Sequence, residues 1–257
     1  MAVNEGGPHL SLYNSGQMGA DALPLFDKIL PPEAPTFPSS CDHGTVRPMI
    51  YDTLQTEARQ RGLVVLGGFH PNTEDACPTG TKTLLLFGPD PKGFWQVLQS
   101  ASEFQAADPI DCWSRRVLGN WACELGATAL FPFGNPLRPF ISWALRSGRC
   151  HVSPATLLVH DTYGLMVSFR GALAFKEYVE LPPPPTSPCS ACVDKPCIAA
   201  CPVGALRSGY DTDKCHKHLD TPGNDCMAKG CRARRACPVS PRRPDAQSAH
   251  HMRYFHQ

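Results

Sequence analysis

The sequence predicts an α+β fold: a layered domain over residues 49–181, a proline-rich spacer at 182–188, and a cysteine-rich module at 189–244. Three observations carry this. Up to Leu181, short apolar runs alternate irregularly with helical patterns, which favours an α+β arrangement over a doubly wound sheet. Leu181 is followed by Pro182-Pro183-Pro184-Pro185-Thr186-Ser187-Pro188, a stiff extended stretch. Of 13 cysteines, eight fall between Cys189 and Cys237.

Taken in order, residues 1–48 carry Pro31-Pro32, Pro35 and Pro38 with little periodicity, and read as an irregular arm. Between Met49 and Gly62, the spacing of Ile50, Leu54 and Ala58 predicts an amphipathic helix that Gly62 ends. Apolar runs at Leu63–Leu66 and Thr83–Phe87 predict buried strands, the second stopped by Gly88-Pro89-Asp90-Pro91. Phe94 to Phe104 reads as helical. Asp108-Pro109 predicts the start of a helix ending at Gly126, with the carboxylate placed to cap free amides. Ala127–Phe131 is expected as a short strand and Phe140–Arg146 as a short helix. Leu157–Val159, Leu165–Phe169 and Leu173–Phe175 are expected as strands around breaks at Tyr163-Gly164 and Arg170-Gly171. The tail, 245–257, is expected to fray, histidines 250, 251 and 256 included.

A chain of 257 residues, 42% hydrophobic and 18% charged, has room for one large or two modest domains. Its net charge of +1 excludes a bulk polyelectrolyte but hides an asymmetry. Residues 1–188 hold 13 basic and 17 acidic side chains, whereas 189–244 hold 10 basic and 5 acidic. No run of eighteen apolar residues and no secretory pattern occurs, so the expected setting is the cytoplasm, with no membrane. In such a chain, clustered cysteines point to metal rather than disulfides.

Two arrays stand out: Cys189-x2-Cys192-x4-Cys197-x3-Cys201-Pro202 and Cys215-x10-Cys226-x4-Cys231-x5-Cys237-Pro238. An iron-sulfur cubane needs four thiolates, and in two-cluster proteins the cysteine before proline leaves its own loop to ligate the other cluster. Zinc also takes four thiolates, but two zinc sites give no reason for Cys-Pro at both closures. Lys195, Lys229, Arg232, Arg234 and Arg235 surround the cysteines, as suits an anionic cluster. The same cations suit a phosphate backbone, but no aromatic residue interleaves Lys229 to Arg243, and nucleic acid is not expected.

Residues 189–238 resemble the dicluster bacterial-ferredoxin family. That resemblance implies two 4Fe-4S clusters with crossed ligation: Cys189, Cys192, Cys197 and Cys237 for one, Cys201, Cys215, Cys226 and Cys231 for the other. The chain departs from the family in having four residues, not two, between the second and third cysteines, and in its stretched second array.

Upstream, Leu157-Leu158-Val159-His160-Asp161-Thr162-Tyr163-Gly164-Leu165 with Phe169-Arg170-Gly171-Ala172-Leu173 resembles the strand-turn-strand segment of the cobalamin-processing, epoxyqueuosine reductase and reductive dehalogenase group. The resemblance implies a nitroreductase-like layered domain and a cobalamin. The acidic catalytic segment and helical-repeat extension of an epoxyqueuosine reductase are missing. Candidate cofactor-binding residues are Phe133 and Gly134 in a proline-stiffened aromatic loop, His160, Tyr163, Arg170 and Gly171. Trp113, Arg115, Arg116 and Trp121 share the helix after Asp108, where Arg115 or Arg116 is placed to hold an acidic ligand group. Cys112 and Cys123, nearly three turns apart there, read as buried apolar thiols.

No G-x-S-x-G elbow, phosphate loop, H-E-x-x-H or dinucleotide fingerprint occurs. The expected function is therefore single-electron transfer through two 4Fe-4S clusters, in exchange with a redox partner protein, to a small-molecule substrate site or cobalamin in the N-terminal domain. The alternatives are a stand-alone electron carrier without a second cofactor and a zinc-stabilised nucleic-acid binder.

Overall fold

The computed structural model describes residues 50–256, so the arm expected at 1–48 lies outside the described residues. Helix α1 (Tyr51–Gln60) leads into strand β1 (Leu63–Phe69), followed by β2 (Thr83–Pro89), α2 (Phe94–Gln99), α3 (Pro109–Glu124), β3 (Thr128–Leu130) and α4 (Phe140–Arg146). Next come β4 (Cys150–Val152), β5 (Leu158–His160) and β6 (Gly171–Phe175). Past the spacer only helices occur: α5 (Pro196–Ala199), α6 (Thr212–Leu219), α7 (Asp225–Lys229), α8 (Arg232–Ala236) and α9 (Asp245–His256).

β1, β2, β6 and β3 form an antiparallel sheet in that order, and β4 pairs with β5 in a separate ribbon. The β2 run is apolar throughout because both its faces are covered. Leu85 and Phe87 pack with Leu54, Trp113 and Trp121 from α1 and α3. Leu84 and Leu86 face Phe140 and Trp143 from α4. Each large side chain so buried contributes about 1.5–3 kcal/mol. Gly171 stands where β6 meets α3. A Cβ there would lie 2.5 Å from Leu118 Cδ1 and 2.9 Å from the Leu130 carbonyl.

The mixed α+β class, with small antiparallel sheets, agrees with the sequence reading, and several elements differ from it. The helix expected at Phe94–Phe104 breaks at Ser100, and Ser102–Gln105 is a 3₁₀ turn. Pro109 opens α3, but Asp108 makes no side-chain cap bond. Cys112 is exposed and Cys123 is disulfide-bonded, so neither is a buried apolar thiol.

Residues 165–169 are not a strand, and 157–173 is not a hairpin: β5 pairs with β4, while β6 lies in the main sheet. The physical reason is competition for the backbone by the C-terminal module. The Leu165 amide donates to Ser240 Oγ at 3.0 Å, and the Arg243 guanidinium donates to the Met166 carbonyl. Gly164, at φ +53°, lets the chain approach so closely that a Cβ would stand 2.6 Å from the Ser240 amide nitrogen.

Nor does the tail fray over its described length. Residues 245–256 form α9, which buries Gln247, Ser248, Ala249 and Met252. Its His250 ring lies 5.7 Å from Trp95, and His256 Nε2 is 2.9 Å from Asp220.

Candidate metal centre

The module's short helices are punctuated so that cysteines sit at their ends and in the loops between them. Cys189 and Cys192 share a turn in which the Cys192 amide faces the Cys189 carbonyl at 3.4 Å. Lys195 then adopts a left-handed conformation, and Pro196 opens α5, which carries Cys197 inward. Cys201 follows α5 and accepts a hydrogen bond on Sγ from the Ala205 amide at 3.3 Å. Cys215 lies in α6, Cys226 in α7, and Cys231 and Cys237 flank α8. The Tyr210 hydroxyl donates to Cys215 Sγ at 3.8 Å.

These eight thiols fall into two groups. Cys189, Cys192, Cys197 and Cys237 line one cavity of about 240 Å³. Burial pushes the Cys189 thiol up, and Cys237, Cys197 and Cys192 push it further. Cys197 is raised by burial and by Cys237 and Cys192. In the second group, burial, opposed by the Tyr210 hydroxyl and reinforced by Cys231, Cys201 and Cys226, takes Cys215 up to about 11. Cys226 is raised by burial, with Cys231 and Cys201 adding to it. All eight are free thiols.

Two thiols in each set, Cys189 with Cys197 and Cys215 with Cys226, resist ionisation, and a cationic centre would offset that because metal binding replaces their protons. Zinc needs sulfurs about 2.3 Å from a single point. Among the described residues no group of three or more Cys, His, Asp or Glu side chains is placed to hold a metal ion as it stands, which does not separate zinc from a cluster. A cubane gives each thiolate a different iron, and so needs sulfurs spaced around a void.

Compared with protein-family models, curated proteins and solved structures, the chain has no match.

The first cavity is walled partly by the N-terminal domain. Val159 of β5 and Leu165 line it opposite Pro188, Pro196 and Pro238. Sequence reasoning missed these two because an apolar strand residue looks the same whether it faces a core or a cofactor. Tyr210 was also missed. Its position five residues before Cys215, in a module otherwise without aromatic residues, was the available signal.

The six cofactor-binding candidates each have partners within the chain. Arg115 of α3 lies against the loop of Phe133 and Gly134, its guanidinium 5.0 Å from the Phe133 ring and 5.9 Å from Phe131, with Arg115 and Gly134 both exposed. Arg116 is paired with Glu103. His160 is fully buried, with Nε2 3.0 Å from the Leu66 carbonyl and Nδ1 facing the Thr162 amide at 3.0 Å and Asp161 Oδ1 at 2.8 Å. Both ring nitrogens are thus engaged within the chain, a structural role rather than that of a metal ligand. Tyr163 packs on it with ring centres 5.0 Å apart. Arg170 reaches Asp111 at 3.4 Å and Ser168 at 3.3 Å. What approaches Gly171 is Leu118 and the Leu130 carbonyl, so its lack of a side chain serves packing.

The cations expected around the cysteines divide. Lys195 lines the first cavity, whereas Lys229 and Arg235 are held by Asp225. No helix among the described residues is long and apolar enough to cross a membrane.

Proposed function

We propose that the chain is an iron-sulfur electron-transfer protein or reductase component. Cys189, Cys192, Cys197 and Cys237 would hold one 4Fe-4S cluster and Cys201, Cys215, Cys226 and Cys231 the other, with single electrons exchanged with a redox partner protein. The observation that carries this reading is the gathering of Cys237 with three thiols at least forty residues earlier, while Cys201, beside those three in sequence, neighbours the other set. Bound clusters would supply one-electron redox chemistry. The chain's own part is to exclude water with the apolar cavity wall and to direct donors at sulfur from the Ala205 amide and the Tyr210 hydroxyl.

We read the N-terminal domain as a nitroreductase-like layer structure on the strength of its antiparallel sheet covered by helices on both faces. His160 has both ring nitrogens engaged within the chain and Gly171 is filled by Leu118 and the Leu130 carbonyl, so no step is assigned to a cobalamin. Those contacts favour a second reading, an electron carrier with no further cofactor. Anaerobic purification with metal and sulfide analysis tests the main proposal: about eight irons and eight sulfides per chain are expected, with a visible spectrum bleached by dithionite. Colourless protein carrying zinc would overturn it. Addition of cobalamin distinguishes the two readings, since a carrier leaves the cobalamin spectrum unchanged.

A further inference from the structure

The seam between the N-terminal domain, α8 and α9 collects positive charge. Arg243 donates to the Met166 carbonyl, and its Nε is buried with no hydrogen-bond partner among the described residues. Arg170, four residues beyond Met166, is the one guanidinium here with a described carboxylate partner, Asp111. Arg234 of α8 lies 3.1 Å from His251 Nε2 of α9. A guanidinium only donates, so that nitrogen accepts and the imidazole is neutral.

Burial and the cations Arg234 and Arg170 bring Arg243 down to about 10. His251 is held well below the ordinary histidine range by burial and by Arg234, Arg243 and Arg170. Neither Arg243 nor Arg234 is within ion-pair distance of a described carboxylate; Arg243 loses solvation, and Arg234 acts on it as a like charge. One of them also has an unsatisfied buried donor. An oxyanion removes both penalties at once, because its oxygens accept from several N–H groups and its charge offsets theirs.

We propose that Arg243 and Arg234, flanked by Arg170 and His251, form a binding site for an oxyanion group, the phosphate or carboxylate of a small molecule. The site adjoins the second cysteine set: Arg234 acts electrostatically on Tyr210, whose hydroxyl meets Cys215. Its use, holding the acidic group of an electron donor or acceptor near that set, rests on the iron-sulfur reading. The site itself does not.

The test is thermal melting of the full chain, purified anaerobically, in graded inorganic phosphate and in graded acetate, with chloride holding ionic strength constant. Iron is measured in each sample. Ligand binding to the folded state raises the melting temperature as concentration passes the dissociation constant. Phosphate or acetate, whichever the site takes, is expected to raise it for the wild type, and Arg243→Gln is expected to weaken the apparent affinity at least tenfold. Arg234→Gln is the second variant should Arg243→Gln fail to fold, and Arg232→Gln, an exposed residue on the same helix, is expected to leave the affinity unchanged. The proposal is overturned if neither anion stabilises the wild type beyond chloride, or if the Arg243 and Arg234 variants bind as the wild type does. Loss of iron in those variants with no anion effect in the wild type also overturns it, because the cations would then serve only the cluster charge. An anion effect in iron-free protein supports the site while removing the cluster reading.

Discussion

The crossed assignment of thiols makes a quantitative prediction that an uncrossed one reverses. Replacing Cys192 by Ala removes one ligand of the first set and is expected to cost that cluster, about four of about eight irons per chain. Adding Cys237→Ala should cost nothing more, because both residues line the same cavity. Adding Cys201→Ala instead should take the remaining four, because the Cys201 thiol neighbours Cys215 and Cys226. If each array held its own cluster, the two pairs would exchange behaviour: Cys192 with Cys201 would lose four irons and Cys192 with Cys237 eight. The assay is iron and sulfide per chain with low-temperature electron paramagnetic resonance of the reduced protein, which separates two interacting clusters from one. Far-ultraviolet circular dichroism of each variant checks that the sheet domain is retained. A Cys192/Cys237 pair that loses all iron while remaining folded would refute the reasoning.

Three further predictions follow from contacts around the seam and the thiols. Tyr210→Phe deletes the hydroxyl that meets Cys215 and should lower the potential of one cluster only, by about 40 mV if the bond contributes about 1 kcal/mol to a one-electron couple; a redox titration in which both or neither cluster moves would contradict it. Gly164→Ala drives a Cβ into the Ser240 backbone at a left-handed position and should cost about 2 kcal/mol, lowering the melting temperature by roughly 4–8 °C; an unchanged melt would show that the module does not dock there. Burial opposes ionisation of Asp161, but the His160 ring beside it and hydrogen bonds from Arg149 and Thr162 outweigh burial and hold the carboxyl well below the usual carboxylate range. Its stabilisation is thus complete above about pH 4 and lost as pH falls through the lower folded value. Asp161→Asn should cost about 3 kcal/mol near pH 7 by denaturant unfolding, and the gap to the wild type should narrow only below about pH 4; a gap independent of pH to pH 2 would remove the charged pair with Arg149 as its source.

Elements whose apolar pattern is set locally were legible in the sequence. Leu54 and Ala58 on α1, the uninterrupted β2 run, Pro109 at the start of α3, and α4 all stand where periodicity puts them, because burial of one face decides their conformation. The misreadings cluster where a distant segment decides. Residues 165–169 carry a strand-like composition, but the Leu165 amide and the Met166 carbonyl are taken by Ser240 and Arg243, some 75 residues away in sequence. Helix α9 reads as a polar tail, and becomes ordered by packing on Trp95, Arg234 and Asp220. For the site, cysteine spacing and the Cys-Pro closures were legible because they are covalent pattern. The cavity wall from Val159 and Leu165 was not, because it depends on tertiary contact.

The proline spacer suggests a module that could be detached, yet the contacts argue for joint folding. Cys197, Leu206 and Ala233 share a buried cluster with Ala155, Leu157, Val159 and Leu165 of the N-terminal domain, and Pro184 of the spacer lies against Gly148. The thiols crowd on the module side of that shared core, and burial holds Cys189 and Cys197 in the neutral form, which makes the unloaded site a local burden where the fold brings loops together. Whatever cationic centre relieves that burden stabilises β5 and the 164–166 turn as well, since the same side chains wall the cavity. If the first thiol set holds the proposed cluster, Val159 and Leu165 would couple its chemistry to the conformation of the N-terminal domain, with no need for a mobile hinge at the prolines.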